Sequence, residues 1–267
     1  MSSGRPVPNV VRIYDALLGG KDNYDADREV RDRLLRIDPQ FPAAARDIRD
    51  FSSRVVRFLA GQAGISQFLD CGPALPYGEN THDIALRLNP ESSVVYVSSD
   101  QLVVAYGRAL LADNDRTHMV DVNITRPERV FADPIIRKHL DFDQPVALLH
   151  IGTLHHFPDE FDPWGAMAQA IDHLAPGSYV ALMHGLQPEP DSDLAQVAQD
   201  VHDVYMSVMP RGGGWFRTID RIHDMMPGLE LLEPGMGPIA DWWPDGPRAR
   251  PLGAMQRLFV GAVGVKP

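Results

Sequence analysis

The sequence predicts an α/β protein in which a helical segment precedes a doubly wound, mostly parallel sheet. Apolar residues recur at helical spacing through residues 10–60. From residue 66 onward, short apolar runs alternate with helix-like stretches, which is typical of a parallel sheet covered on both faces. The last two apolar runs, 229–232 and 257–265, are separated only by turn-rich sequence, which favours an antiparallel pair at the end of the sheet.

The first part of the chain contains three amphipathic stretches. The first runs from Val10 to Leu17 and stops at Gly19-Gly20. The other two span residues 25–37 and 46–60 and are charged on one side and apolar on the other. We therefore expect residues 1–60 to form a helical extension. Since no linker-like stretch follows, residues 61–267 are expected to form one compact α/β unit.

The remaining elements follow in alternation. Five apolar runs are predicted as strands: 67–70, 93–98, 117–122, 145–152 and 178–184. Six stretches are predicted as helices: 80–88, 101–112, 127–139, 164–174, 193–209 and 216–226. Right-handed crossovers between such strands produce a doubly wound sheet.

Composition excludes several classes of protein. The 267 residues are 44% hydrophobic, which is enough for a sizeable core. The single cysteine, Cys71, excludes an internal disulfide and a cysteine-based zinc site, and no metal is expected. A net charge of −11 argues against non-specific binding of nucleic acid. No apolar run reaches the ~18 residues of a membrane-spanning helix, and the N-terminus lacks an apolar signal core, so we expect a cytoplasmic protein that does not bind membranes.

Ligands of an open parallel sheet bind beyond the carboxyl ends of its strands. The loop after the first predicted strand holds Asp70 and one glycine, Gly72, where nucleotide-binding loops usually have two or three. These residues either contact a ligand or form an ordinary turn. The second strand ends at Ser98, at a place where ribose-binding sites usually have a carboxylate. Asp100 either contacts the same ligand or caps the next helix, and the cap is favoured.

Two further groups of residues carry candidate chemistry. His155 and His156 follow the fourth strand, and either is suited to act as a base near neutral pH. The alternative is that one bonds the loop backbone while the other faces solvent, because adjacent side chains are expected to point in different directions. Around Gly19-Gly20, Lys21 either pairs with a ligand carboxylate or is solvated after a helix stop.

The segment around this double glycine carries a resemblance to a known family. Residues 11–24 read VRIYDALLGGKDNY and are followed by Ala26-Asp27-Arg28-Glu29. This resembles the R-x-Y-D-x-L-L-G-G-K-D-N-[FY] opening of the actinobacterial S-adenosylmethionine-dependent methyltransferase family once catalogued as DUF574. Further matches lie at 68–70, 75–76, 140–149, 154–155, 174–179 and 229–235. The resemblance covers about residues 8–265.

The resemblance implies a class I, Rossmann-like methyltransferase fold with a seven-stranded sheet whose last strand is antiparallel. It also implies S-adenosylmethionine as cofactor and an unidentified small molecule as methyl acceptor. By position, Asp70 and Gly72 are expected to face the methionine part of the cofactor. Ser98 takes the ribose position, and Asp100 follows it. The other residues expected to bind cofactor are Asp121 and Val122 at the adenine edge, Gly152 near the sulfonium, and Tyr14, Gly20, Lys21 and Asn23 in the helical extension, which is expected to act as a lid.

The residues toward the acceptor are also implied by position. His155 and His156 are expected to face it. The late aromatic segments 212–216 and 242–244 either wall a pocket for a flat acceptor or pack the edge of the domain. Cys71 is expected to be a small buried apolar side chain.

The first two loops depart from the family pattern. Ala74 stands where the family has a second glycine, Tyr77 where it has a small residue, and Ser98 where it has the ribose carboxylate. A lost charge-assisted hydrogen bond is worth about 1.5–3 kcal/mol. An alternative is therefore a catalytically inactive binding protein with this fold, which holds a different ligand or a protein partner. A nicotinamide-dependent oxidoreductase is disfavoured because the G-x-G-x-x-G pattern is missing.

Overall fold

The computed structural model describes residues 7–76, 78–111, 115–209, 213–248 and 250–267. The described strands are β1 Gln67–Cys71, β2 Ser93–Ser98, β3 Thr117–Asp121, β4 Ala147–Ile151, β5 Tyr179–Gly185, β6 Glu230–Leu231, β7 Gly237–Pro238 and β8 Phe259–Val265. The described α-helices are α1 Val10–Leu17, α2 Asp25–Ile37, α3 Phe41–Gly61, α4 Thr81–Leu88, α5 Gln101–Leu110, α6 Pro127–Val130, α7 Pro134–His139, α8 Pro163–Asp172, α9 Ala195–Val208, α10 Ile219–His223 and α11 Ala254–Arg257. Short 3-10 turns cover Leu154–His156, Asp159–Phe161 and Ile239–Asp241.

The strands form one sheet in the order β3-β2-β1-β4-β5-β8-β6. Strands β1 to β5 pair in parallel, and β8 runs antiparallel to both β5 and β6. The predicted fold class, including the antiparallel last strand, is confirmed. The two-residue β7, which pairs with β8 off this path, was not predicted because so short a strand has no periodicity to detect.

The strand order reverses between β1 and β4. Strands β1, β2 and β3 follow one another outward on one side, whereas β4 and β5 follow on the other. Such a switch point opens a crevice at the carboxyl ends of the strands, where α/β proteins bind their ligands.

Each face of the sheet supports its own hydrophobic core. Along β1, Phe68 packs into the core that includes α1 to α3, while Leu69 packs into the core on the opposite face, since successive strand side chains point to opposite sides. The helical segment is also tied to the C-terminal part by Arg54 of α3. Its buried guanidinium donates hydrogen bonds of 2.9 Å to the carbonyls of Trp242 and Ile239.

Two predicted helices differ from the structure. Residues 127–139 form two helices, α6 and α7, rather than one, because a new helix begins after Asp133. Its carboxylate caps α7 and Pro134 occupies the first turn. Helix α3 begins at Phe41, five residues before the predicted start, and carries Pro42 in its first turn. Among the described helices, none combines the length and the apolar character that a membrane span requires.

Candidate functional site

A cavity of about 240 Å³ lies at the carboxyl ends of β1, β2 and β4, between the sheet and helices α1 and α3. This is the switch point of the strand order. The predicted site residues that line the cavity are Tyr14, Asp70, Gly72, Ser98, Asp100, Gly152, His155 and His156. The predicted site residues outside its lining are Gly20, Lys21, Asn23, Asp121 and Val122.

Gly72 joins the first loop to its neighbours on both sides. Its N–H donates a 2.8 Å hydrogen bond to the carbonyl of Val97 in β2. Its φ of +90° is a conformation that glycine adopts without strain. A Cβ at this position would lie 2.0 Å from Cγ2 of Thr153, in the loop after β4. Only glycine therefore lets the loops after β1 and β4 pack together at the cavity.

Asp70 places a half-buried carboxyl group in the cavity. Its Oδ2 accepts a 2.6 Å hydrogen bond from the hydroxyl of Thr81, the first residue of α4. Burial raises the pKa of Asp70 to about 6, although the Thr81 bond and the charge of Arg49 act in the opposite direction. A cation next to this carboxyl would favour its ionised form.

The tip of β2 carries a hydroxyl rather than a carboxylate. Ser98 is buried, and its Oγ accepts a 3.1 Å hydrogen bond from the N–H of Asp100. Oδ1 of Asp100 accepts from the N–H groups of Leu102 and Val103, so the predicted helix cap is confirmed. Oδ2 of Asp100 accepts a 2.6 Å hydrogen bond from Nδ2 of Asn9.

Asn9 and Asp27 hold the N-terminal helices in one hydrogen-bonded unit. The side-chain oxygen of Asn9 accepts from the N–H groups that begin α1, and its own N–H donates to Asp27 at 2.9 Å. The buried Asp27 carboxylate also accepts a 2.7 Å bond from Nε of Arg12. Residues 9–27 are thereby fixed to the start of α5 through the contact between Asn9 and Asp100.

The loop that contains Gly19 and Gly20, the double-glycine loop, is hydrogen-bonded to Asp15 and does not line the cavity. The buried Asp15 carboxylate accepts hydrogen bonds from the N–H of Asp22 at 2.9 Å and from Nδ2 of Asn23 at 2.8 Å. A Cβ on Gly20 would lie 2.0 Å from Oδ1 of Asp15. Lys21 is exposed on this loop.

Of the opening motif, Tyr14 lines the cavity together with the apolar side chains of Val11 and Leu17. The hydroxyl of Tyr14 donates a 2.9 Å hydrogen bond to the carbonyl of Ala45 in α3, so it also joins α1 to α3.

At the opposite edge, Asp121 is exposed at the end of β3, and its Oδ2 accepts a 3.1 Å bond from Nε2 of Gln101. Ile124, further along the same loop, lines the cavity.

His155 and His156 both line the cavity, and their ring centroids are 4.2 Å apart. Although the two residues are adjacent in sequence, both side chains therefore reach the same cavity. They lie in a 3-10 turn, where consecutive side chains are about 120° apart rather than opposite.

Burial lowers the pKa of His156 to about 4. It lowers the pKa of His155 well below its usual range, and the nearby His156, His184 and Arg217 act in the same direction. Both imidazoles are thus neutral at physiological pH. Among the described residues, Nδ1 of each is buried without a hydrogen-bond partner. Since an unpaired buried polar atom costs about 1–3 kcal/mol, a ligand group that bonds it is favoured.

A buried arginine holds the turn that carries these histidines. The guanidinium of Arg217 donates to the carbonyl of Leu154 at 3.3 Å and to that of Phe157 at 2.8 Å, on either side of the pair. It also donates to Nε2 of His184 at 2.9 Å and to Asp159 at 2.8 Å.

The remaining sequence candidates pack the protein interior or its edge. Cys71 is buried, and its burial raises the pKa of the thiol, so the predicted apolar role is confirmed. Trp242 is buried against Phe51 and stacks on Trp243, and neither tryptophan lines the cavity. For these tryptophans, packing at the edge of the domain is confirmed. Tyr77 and Gly212 lie outside the described residues.

Sequence reasoning missed several residues that line the cavity. They are Phe41 and Arg49 from α3, Tyr205 from α9 and Phe259 from β8. These elements lie far apart along the chain. Helical and strand periodicity indicates only that such residues are buried.

Comparisons with known proteins identify relatives of this chain. The sequence model of the S-adenosyl methyltransferase family matches residues 3–267. A candidate methyltransferase from Thermobifida fusca is 37% identical with a TM-score of 0.89, over 97% of this chain and 95% of that chain. A DUF574 family protein from Streptomyces avermitilis is 35% identical with a TM-score of 0.87, over 98% of both chains.

A more distant structure shares the fold alone. It is an O-methyltransferase family protein from Burkholderia thailandensis, 14% identical with a TM-score of 0.51, over 91% of this chain and 60% of that chain. No match emerges among curated proteins. The family model and the two full-length structural matches show that the chain belongs to the family of S-adenosylmethionine-dependent methyltransferases.

Proposed function

We propose that this protein transfers the methyl group of S-adenosylmethionine to a small-molecule acceptor inside the cavity. The observation that carries the proposal is the cavity itself. It lies at the switch point of the sheet, and its wall combines Asp70 and Ser98 with two neutral histidines. When bound, the cofactor supplies an activated methyl group on a sulfonium, which needs little acid catalysis because the leaving group is already good.

The residues at the ends of β1 and β2 fit the cofactor. The carboxylate of Asp70 suits an ammonium group, and the guanidinium of Arg49, in the same cavity, suits a carboxylate. Together they suit the zwitterionic methionine part. Gly72 and Gly152, with φ values of +90° and +76°, line the cavity beside it.

Other cavity residues complete the proposed cofactor site. Ser98 offers its hydroxyl to the ribose, while Tyr14 and Asp100 hold the surrounding helices. Gly20, Lys21 and Asn23 support the double-glycine loop around Asp15 in this proposal and do not touch the cofactor.

The histidine pair suits the acceptor side of the reaction. The acceptor oxygen or nitrogen forms its bond to the methyl carbon as the carbon–sulfur bond breaks, and its proton passes to Nδ1 of His156. A weak base is sufficient, because an oxygen or nitrogen that gains a methyl group becomes strongly acidic. His156 is more exposed than the buried His155, which in this proposal orients the acceptor. Most of the rate enhancement then comes from alignment of the reacting atoms.

Calorimetric titration with S-adenosylmethionine and with S-adenosylhomocysteine tests the cofactor site. We expect micromolar dissociation constants for both ligands. Asp70→Asn should weaken binding about tenfold, since a charge-assisted hydrogen bond is worth about 1.5–3 kcal/mol. Asp121→Asn is the matched control, because Asp121 is the aspartate that ends β3 and lies outside the cavity lining, and it should leave affinity unchanged. Equal losses in the two variants would contradict the placement.

One observation favours the alternative of a catalytically inactive binding protein. The tip of β2 offers the hydroxyl of Ser98 in place of a carboxylate, and Asp100 is engaged by Asn9 and the start of α5. Absence of binding at millimolar concentrations of both ligands would favour this alternative. Formation of S-adenosylhomocysteine above the acceptor-free background, over many turnovers with any small acceptor, would exclude it.

A further inference from the structure

The wall of the cavity has a polar end and an aromatic end. The aromatic end is a continuous series of five rings, which we call the aromatic arc: Phe41, Phe259, His155, His156 and Tyr205. Neighbouring ring centroids along the arc are 6.5, 6.3, 4.2 and 6.5 Å apart. These are distances at which aromatic rings pack against one another and against a flat guest.

Apart from helix α3, the arc is built by elements that do not form the polar end. Its rings come from α3, β8, α9 and the 3-10 turn after β4, whereas the polar end lies at β1 and β2. Helix α3 reaches both ends, with Phe41 at one and Arg49 at the other. Eight residues of helix place them about 12 Å apart. The two ends of the cavity therefore lie far enough apart to contact two different groups.

Charge is distributed unequally between the two ends. The charged side chains in the described lining are Arg49, Asp70, Glu79 and Asp100, and all of them belong to the polar end. In the arc, burial keeps both histidines neutral. Behind the arc, the charge of Arg217 is engaged by Asp159 and by backbone carbonyls. A charged guest in the arc would lose its hydration without gaining a counter-charge.

The arc also contains two polar atoms whose hydrogen-bonding capacity is unused within the described part of the chain. Nδ1 of His155 and Nδ1 of His156 are buried and have no hydrogen-bond partner among the described residues. A guest that carries one hydroxyl or N–H group can bond a neutral imidazole while its ring packs on Phe259 or Tyr205.

We propose that the aromatic arc is the acceptor subsite and that it takes a flat, uncharged aromatic molecule bearing a hydroxyl or N–H group. The proposal rests on the proposed function, which assigns the polar end to the cofactor. It adds the chemical class of the acceptor and the residues that select it.

The test titrates 2-naphthol and indole into protein that is saturated with S-adenosylhomocysteine, with binding measured by calorimetry. We expect dissociation constants below about 1 mM for at least one of them, in the range of weak specific binding. The control probe is 2-naphthalenesulfonate, which has the same rings and a permanent negative charge. It should bind at least tenfold more weakly.

Two variants separate the two ends of the cavity. Tyr205→Leu removes one ring of the arc and keeps an apolar side chain, so it should weaken 2-naphthol at least fivefold without changing the affinity for S-adenosylhomocysteine. Tyr179→Leu, the same substitution at a tyrosine that packs on Phe58 outside the cavity lining, should change neither affinity. In the unmodified protein, 2-naphthol should shift the imidazole NMR signals of His155 and His156 and leave that of the exposed His223 unchanged.

The outcomes distinguish the two proposals. If S-adenosylhomocysteine binds and neither 2-naphthol nor indole does, the acceptor class is wrong and the proposed function stands. If 2-naphthol and S-adenosylhomocysteine compete, the arc holds part of the cofactor and the inference is overturned. If 2-naphthalenesulfonate binds as tightly as 2-naphthol, the proposal that the arc selects uncharged molecules is wrong. If S-adenosylhomocysteine does not bind, the proposed function fails, and this inference fails with it.

Discussion

Nδ2 of Asn9 donates a 2.6 Å hydrogen bond to Oδ2 of Asp100, and each of these residues also caps a helix. Asn9 caps α1, which covers the cavity, and Asp100 caps α5, which follows the tip of β2. One pair of side-chain atoms, 91 residues apart in sequence, thus fixes the helical extension beside the proposed ribose position.

Substitution of Asn9 separates its two roles. Asn9→Ser keeps a good helix cap and loses the bond to Asp100, whereas Asn9→Ala loses both. We expect Asn9→Ser to lower the free energy of unfolding by about 1 kcal/mol and Asn9→Ala by a further ~1 kcal/mol. Urea unfolding measures both values. Equal losses in the two variants would show that the cap contributes nothing, and an unchanged free energy of unfolding in Asn9→Ser would show the same of the bond to Asp100.

Arg49, rather than Lys21, should hold the carboxylate of the cofactor. Arg49 lines the cavity, and Lys21 is exposed on the double-glycine loop. Arg49→Gln should weaken S-adenosylmethionine about tenfold, the effect of one charge-assisted bond, and Lys21→Gln should change its affinity less than twofold. Calorimetry on both variants checks this. If Lys21→Gln weakened binding more than Arg49→Gln, Lys21 rather than Arg49 would be the residue that holds the carboxylate.

Affinity for the cofactor should depend on pH through Asp70. Because burial raises the pKa of this carboxyl to about 6, it is mostly ionised at pH 7 and mostly protonated at pH 5. The ionised form is the one that attracts an ammonium group. Between pH 7 and pH 5 the affinity for S-adenosylmethionine should therefore fall about tenfold. Asp70→Asn should bind more weakly at pH 7 and show no such fall; a parallel fall in this variant would assign the pH dependence to another group.

The histidine pair should stay neutral in mildly acidic solution. Burial lowers the pKa of His156 to about 4 and that of His155 well below its usual range. NMR titration of their imidazole signals in the folded protein should show no midpoint between pH 5 and pH 8. In urea, the same signals should titrate near 6.5. A midpoint near 6.5 in the folded protein would mean that water reaches both rings.

Arg217 should stabilise the histidine turn mainly through backbone carbonyls. Its guanidinium is buried, whereas its partner Asp159 is exposed. Arg217→Met leaves the carbonyls of Leu154 and Phe157 without this donor and should lower the free energy of unfolding by more than about 2 kcal/mol. Asp159→Asn removes only an exposed charge and should cost less than about 1 kcal/mol. Thermal unfolding of the two variants gives the comparison, and similar losses would assign the stabilisation to the ion pair.

The order of helices and strands could be predicted from the sequence because it depends on local patterns. Apolar spacing and turn residues located β1 to β5 within two residues at each end, and α2 at its observed bounds. The two-residue β7 and the break between α6 and α7 depend on pairing with β8 and on the cap at Asp133, which periodicity does not detect.

The cavity-facing positions at the ends of β1, β2 and β4 were also open to prediction. Parallel strands place their carboxyl ends at one edge, so Asp70, Ser98 and Gly152 were expected to meet there, and they line the same cavity. Neither this rule nor the family motif distinguishes a residue that faces the cavity from one that supports it. Gly20 and Asn23 belong to the second kind, because they accommodate and bond Asp15.

The sequence by itself thus determined the fold class, the family and the edge of the sheet at which the cavity lies, since these follow from local periodicity and from a contiguous motif. Tertiary structure alone decided the composition of the cavity wall. Phe41, Tyr205 and Phe259 meet the histidine pair there only because α3, α9 and β8 pack around the end of β4. The same packing removes water from His155 and His156, and this desolvation lowers the pKa of both imidazoles.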